Sequence, residues 1–488
     1  MKIPLFGQSG QEADREVSDA YTQNLIPYAP TQSKSQLIHY STPGLTLFAT
    51  MDNLLNGVRG SIEFQGVYYC VVNDKLYTIE ADGLVTEQGT LQTNTGRVSM
   101  AHNGASNGRE LCIVDGEHIY ILDLYTDGTF PGGVMWTITD PDDGNYDANA
   151  PAGATHVVFF DSYFIANDPD NSGRFYVSKP YDGKTWVALS FATAERSPDE
   201  LQSIVASDKI LFLIGTKTTE MWYNAGIAGG VPFKPMQSGF MQWGTIAKYS
   251  PTEISGVAFW LTQNDEGFGM IVKSSGTAPE IISTPAIATE IQKMSIVDDA
   301  YGWSYQHDQQ TYYVITFPSE DTTLVYNLNT KLWHHWSTEN FGRHRGNCHT
   351  FIYNKHLVGD SKTGHVFYLD WDSNVDYDEG ITRIRRSQPI AEGDKTVVHN
   401  AVRIEAKTGV ADQGLNPKIH LRWRDRNGGW SNWHTRSLGE AGDHSKTITW
   451  WGLGESSERV YEIKITDPVD VTLIDAYALL KPGRTFSG

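Results

Sequence analysis

Cysteine is scarce in this chain, with only Cys70, Cys112 and Cys348 among 488 residues. An odd count without paired spacing argues against a disulfide framework and against a cysteine-based zinc site. Cys70 and Cys112 lie inside apolar runs and read as small buried hydrophobes. Long apolar runs are missing too: none approaches the ~18 residues of a membrane span. The opening MKIPLFGQSGQEADRE holds no apolar stretch fit for a secretion signal, so synthesis in a cytoplasm is the expectation. Positive charge is in deficit. The 38 basic residues face 58 acidic ones, for a net charge of −20. That balance argues against general DNA or RNA binding by phosphate neutralisation. It suits a wall along which DNA slides, because like charges keep a moving polyanion off the surface. No P-loop or G-x-G-x-x-G following a strand is present.

What the chain has is aromatic residues (12%, with 14 Trp and 24 Tyr), 46 Gly and 20 Pro. This composition favours many short strands joined by turns. Seven short apolar strands recur, beginning at residues 68, 111, 163, 211, 257, 312 and 356. Their spacing of 43 to 55 residues is that of propeller blades. Residues 61–64, 68–72 and 76–79 form a meander with turns at Gln65-Gly66 and Asn73-Asp74. A later meander runs through 311–317, 323–327 and 333–336, and its turn-then-Trp punctuation resembles kelch blades. The expected fold is all-β: a β-propeller-like domain of about six or seven blades, with an N-terminal arm and a C-terminal β-sandwich.

The boundaries follow from composition. Residues 1–56 are polar and turn-rich and read as an arm, either disordered alone or laid against a neighbouring subunit. Residues 57–372 hold the repeats, 373–397 form a linker, and 398–488 form the sandwich. In the sandwich, Ile419, Leu421 and Trp423 alternate with polar neighbours, Asn427-Gly428 signals a hairpin, and Tyr461, Ile463 and Ile465 alternate again. One helix is predicted after Thr284, with Pro285 in its first turn and Ile287, Ile291 and Met294 on one face. It covers either its own blade or a neighbouring subunit.

Several motifs suggest chemistry and fall short of it. Asp168–Gly173 begins like a calcium loop, but Lys179 stands where the bidentate Glu belongs. The carboxylates Asp370, Asp372, Asp376, Asp378 and Glu379 read as solvated linker charge before a cation site. His334, His335, His344, His349, His356 and His365 are dense but lack zinc spacing, and adjacent strand residues point to opposite faces. Residues 178–186 resemble the Asp-box turn of sialidase-type propellers, with Tyr181 in place of the Asp. That turn is a folding device. The basic spots Arg383/Arg385/Arg386 and Arg422/Arg424/Arg426 are expected to pair with acidic groups at subunit contacts. No catalytic, cofactor-binding or metal-ligating residue is assigned, and no enzymatic activity is expected. A glycosidase carboxylate pair stays open, because Asp and Glu are abundant.

Several segments, in order, carry a resemblance. They are Asn24-Leu25-Ile26-Pro27, Pro43-Gly44-Leu45, Gly57-Val58-Arg59-Gly60 and Gly96-Arg97-Val98-Ser99-Met100-Ala101-His102. Ser207–Ile214, Thr219-Glu220-Met221-Trp222, Ala286–Ile291 and Val402–Gly409 follow. Together the chain resembles the packaged-DNA stabilisation proteins, the tail hub or nozzle subunits of short-tailed bacteriophages. The resemblance implies a non-enzymatic structural virion protein of the phage tail. It implies a homo-hexameric ring below the portal and head-to-tail adaptor, which extends the DNA channel and retains packaged DNA until ejection. It also implies anchoring of tail fibres, spikes or a needle, and double-stranded DNA passing without sequence-specific contacts. The alternative is a carbohydrate-active propeller, sialidase-like or a lectin. A kelch-like scaffold of cellular origin is a third.

Overall fold

The computed structural model describes residues 10–11, 19–30, 37–51, 56–104, 109–124, 133–171, 173–194, 199–227, 230–264, 267–276, 278–338, 342–391, 395–426 and 428–483. The architecture is a seven-bladed propeller joined to a two-sheet sandwich. Blades 1 to 6 are antiparallel meanders over 58–90, 99–137, 157–193, 201–241, 244–281 and 301–335. Blade 7 takes three strands from 346–370 and its outer strand, Gly44–Thr50, from near the N-terminus. The innermost strand of each blade touches that of the next, and the last touches the first, so the ring closes.

Every recurrent apolar run is the second strand of its blade. That strand is covered on both faces by neighbouring blades, which is why it is apolar throughout and does not alternate. Seven apolar cores result, each shared by two adjacent blades. Val71, Leu111, Ile113 and Leu122 fill the core between blades 1 and 2, and Val58, Cys70, Leu357 and Val366 fill the one closing blade 7 onto blade 1. Each fully buried Val, Leu or Ile contributes roughly 1.5–3 kcal/mol. The first hairpin is equally regular. Gln65-Gly66, Asp161-Ser162, Ser255-Gly256, Asp308-Gln309 and Tyr353-Asn354 all have positive φ at both turn residues, the geometry that matches the twist of paired strands.

The helix spans Pro285–Gln292, capped by the Thr284 hydroxyl accepting from the Ile287 amide at 3.3 Å. Ile287 and Ile291 lie in the core between blades 5 and 6 of the same chain. The sandwich encloses its own core around Leu421, Trp450, Tyr461 and Ile463, with Leu25 reaching in from the N-terminal segment. Asn427 of the expected hairpin turn lies outside the described residues.

The segments expected as arm and linker enter the sheets at several places. Asp19–Gln23 lies between the outer strand of blade 6 and Arg383–Arg386 of the sandwich, joining them into one eleven-stranded sheet. Leu25–Tyr28 and Ile38–Ser41 form a hairpin that extends the other sandwich sheet. Val375–Asp376 pairs with Leu45 at the edge of blade 7.

Candidate functional site: a closed propeller axis

The inner strands meet around the axis, and there the side chains of distant blades touch. Arg97 stands just before the inner strand of blade 2. Its guanidinium donates to Asn347 of blade 7, to the side-chain oxygen at 2.5 Å and to the carbonyl at 2.8 Å. The same group lies 4.3 Å over the ring of Tyr301 in blade 6 and 5.7 Å from that of Tyr249 in blade 5. Tyr249 stacks at 5.0 Å on His156, at the start of blade 3. Asn347 donates onward to the Val58 carbonyl of blade 1 at 2.5 Å. Side chains from five of the seven blades, and a backbone carbonyl from a sixth, thus converge where the inner strands begin. An arginine that reaches from blade 2 to blade 5 must cross the axis.

His156 and Tyr301 are buried here, while Arg97, Tyr249 and Asn347 are half-buried. Burial pushes His156 down to about 3, with the nearby Lys248 and Arg97 cations adding to the effect, so the imidazole is neutral. Burial also lowers Arg97, while the adjacent Tyr301 ring acts in the opposite sense. Cation–π contact and two hydrogen bonds hold the charge in place. Ser61 and Thr350 hydroxyls link blades 1 and 7 at 2.9 Å, and Thr252 and Ser304 link blades 5 and 6 at 3.3 Å. No duplex passes such an axis, since its major groove alone is about 12 Å wide.

Next to the plug, blades 7, 1 and 2 interlock. Arg59 is 5% exposed and uses its fork of donors on the carbonyls of Gly96, Asn73, Thr93 and Thr95 and on the Thr93 hydroxyl, at 2.6–2.9 Å. Gly60 leaves no room for a side chain: a Cβ there would lie 2.7 Å from the Val98 carbonyl oxygen.

The residues singled out in the sequence settle into structural roles. Asp168 accepts from the Asn171 amide side chain at 2.8 Å inside a turn. Ser178 accepts from the Phe164 amide at 3.0 Å, and Trp186 is buried and donates to the Gly183 carbonyl, so the Asp-box-like turn braces blade 3. His344 stacks on Trp336 at 3.9 Å and His349 on Trp303 at 5.3 Å. The His349 and His356 rings share one hydrogen bond at 3.0 Å. Among the described residues no group of three or more His, Cys, Asp or Glu could hold a metal ion. Asp378 pairs with Arg345 at 3.4 Å, while Asp376 is buried and accepts from the Thr338 hydroxyl at 2.9 Å.

The basic spots differ from expectation in one respect: their partners lie within the chain. Arg386 bridges Asp19 at 2.9 Å and Glu462 at 2.7 Å. Arg424 reaches Asp19 at 2.6 Å, and Arg422 bonds Glu462 while lying 4.4 Å over the Trp430 and Trp433 rings. Arg385 binds Thr22, and Arg383 binds Ser41 and the Asp467 carbonyl. Asp19 and Glu462 are fully buried, and a buried carboxylate needs such partners.

A family model described as bacteriophage P22 Gp10, β-propeller, matches residues 1–374, from the N-terminal segment through blade 7. The chain belongs to this phage-stabilisation family. It is therefore a virion-associated bacteriophage structural protein involved in DNA stabilisation. The match ends where the propeller ends, and it includes the N-terminal strand that completes blade 7. Among the described residues of this family member, no helix is long and apolar enough to cross a membrane. No curated protein shows a significant match. Solved structures with some likeness include the designed Ika8 protein, at 10% identity and a TM-score of 0.37, covering 66% of this chain and 99% of that one. Another is the Pan2 WD40 domain of Neurospora crassa, at 7% identity and TM-score 0.40, covering 67% and 96%. A family 43 glycoside hydrolase from Bacillus subtilis shares 11% identity, with TM-score 0.26 and coverage of 88% and 97%. Likeness this distant carries no argument about activity.

Proposed function

We propose that this phage-stabilisation protein is the tail hub or nozzle subunit of a short-tailed phage. Copies of the chain assemble as a hexameric ring below the portal and its head-to-tail adaptor. The ring prolongs the DNA channel, holds packaged DNA, releases it at ejection, and anchors fibres, spikes or a needle. The protein acts without catalysis. The observation that carries this reading is the plugged axis. With Arg97, Tyr301, Tyr249 and His156 filling the centre of the propeller, a DNA path has to run between subunits. The net charge of −20 supports passage of DNA without adhesion.

The test is assembly of the purified chain with its adaptor, followed by mass measurement and imaging. The reading expects a closed ring whose central opening lies between chains. It also expects no retention on duplex DNA columns at physiological salt. A chain that stays monomeric with the adaptor present contradicts it.

A further inference from the structure

A cleft of about 370 Å³ opens where the propeller meets the sandwich. Four independent segments build it. The first hairpin of blade 6 brings Asp308 and Tyr312, and the loop after blade 7 brings Trp371. The N-terminal hairpin brings Tyr28 and Tyr40, and a sandwich loop brings Asp470. The aromatic rings contact one another in pairs. Trp371 stacks on His307 with ring centroids 3.5 Å apart, and Tyr28 and Tyr40 face each other at 5.6 Å with planes tilted by 55°. Tyr40 and Trp371 are 40% and 36% exposed, which is unusual for rings this well braced.

The charge of the cleft is one-sided. Two aspartates are among its described lining residues, and no lysine or arginine is. Asp470 is already shared with Lys407 at 2.8 Å. Asp308 is not balanced in this way: its side chain is 89% exposed and its ion-pair contact is His307 at 3.5 Å. Burial holds His307 below its ordinary pKa, which leaves that ring largely neutral near pH 7. A concave site of π-faces with an uncompensated carboxylate at its rim matches a cation that is flat or weakly hydrated. The rim carboxylate favours cations over anions.

We propose that this cleft receives an arginine side chain from an extended basic segment of a partner protein, its guanidinium lying on Trp371 and the tyrosines and paired with Asp308. The residues involved belong to one chain, so the site does not require the ring proposed above.

The test uses the full-length protein and two short peptides, Ac-Gly-Arg-Gly-Arg-Gly-NH2 and the same peptide with citrulline for arginine, titrated by calorimetry and tryptophan fluorescence. Saturable binding of the arginine peptide is expected, with the citrulline peptide at least about tenfold weaker. Trp371→Ala and Asp308→Asn should each weaken the arginine peptide by about threefold or more, and added salt should weaken it further. Asp308→Asn alters an exposed turn residue, so its melting temperature should match the parent. Equal binding of both peptides, no binding of either, or arginine binding indifferent to both substitutions would overturn the proposal. Preferential binding of neutral oligosaccharides over the arginine peptide would overturn it too.

Discussion

Arg97 and Asn347 lie 250 residues apart in sequence and meet across the propeller axis through two hydrogen bonds of 2.5 and 2.8 Å. This contact ties blade 2 to blade 7 past the blade between them, and it sets the guanidinium over Tyr301. The groups that meet here span the axis at the end where the inner strands begin.

Replacing Arg97 by Ala removes both bonds and the ring contact, and leaves Asn347 with a single axial partner. A loss of about 2–3 kcal/mol is expected. Arg97→Lys should recover less than half, because an ammonium cannot present the planar fork. Urea unfolding of the three proteins measures this. Equal stability of the parent and Arg97→Ala would show that the plug does not brace the ring.

The strand Gly44–Thr50 completes blade 7 and Asp19–Gln23 bridges blade 6 to the sandwich. Deletion of residues 1–50 should therefore abolish the cooperative unfolding transition, not merely remove an appendage. Circular dichroism melts of the truncated chain check this. A truncated chain that melts like the parent would contradict the closure described here.

Acid should destabilise the fold before the carboxylates titrate. Burial holds His334 and His344 at about 3, and both are at most 1% exposed. Their folded values lie below the unfolded value of 6.5. Their contribution is complete above pH 6.5 and falls away as pH drops toward 3. At pH 5 each costs about 2 kcal/mol. Chemical unfolding at pH 7 and pH 5 should show the drop, and substituting His344 by Gln should reduce it. A flat profile would refute the assignment.

Asp376 works in the opposite sense. Burial raises its carboxyl to about 7, against an ordinary value of 3.8, although the Thr338 hydroxyl, Arg345 and Arg383 pull it down. Its contribution is complete below the unfolded value and is lost as pH climbs through 7. Asp376→Asn should gain on the parent between pH 5 and pH 8, by about 2–3 kcal/mol. A difference between the two proteins that does not change with pH would show that Asp376 is already ionised in the fold.

The propeller was legible in the sequence because its signal is local. A second strand buried on both faces must be apolar, so the runs near Tyr68, Leu111 and Leu211 mark blades directly. Thr284 and Pro285 likewise announce the helix with nearby residues. The contacts that close the molecule are not local. Nothing beside Gly44–Thr50 says that its partner is His365–Asp370, more than 300 residues on. The same distance hid the partners of Arg386 and Arg424, because Asp19 lies far upstream. The segment Gly96–His102 stood out by resemblance, but its physical reason, Arg97 reaching Asn347 and Tyr301, exists only in the folded ring.

The central claim is that DNA passes between copies of this chain and not through its propeller. Cryo-electron microscopy of the chain assembled with its adaptor and linear duplex DNA tests it most directly. The account predicts a hexameric ring with duplex density on the ring axis and side-chain density filling every propeller centre at Arg97. Monomers alone, or duplex density along a propeller axis, would contradict it.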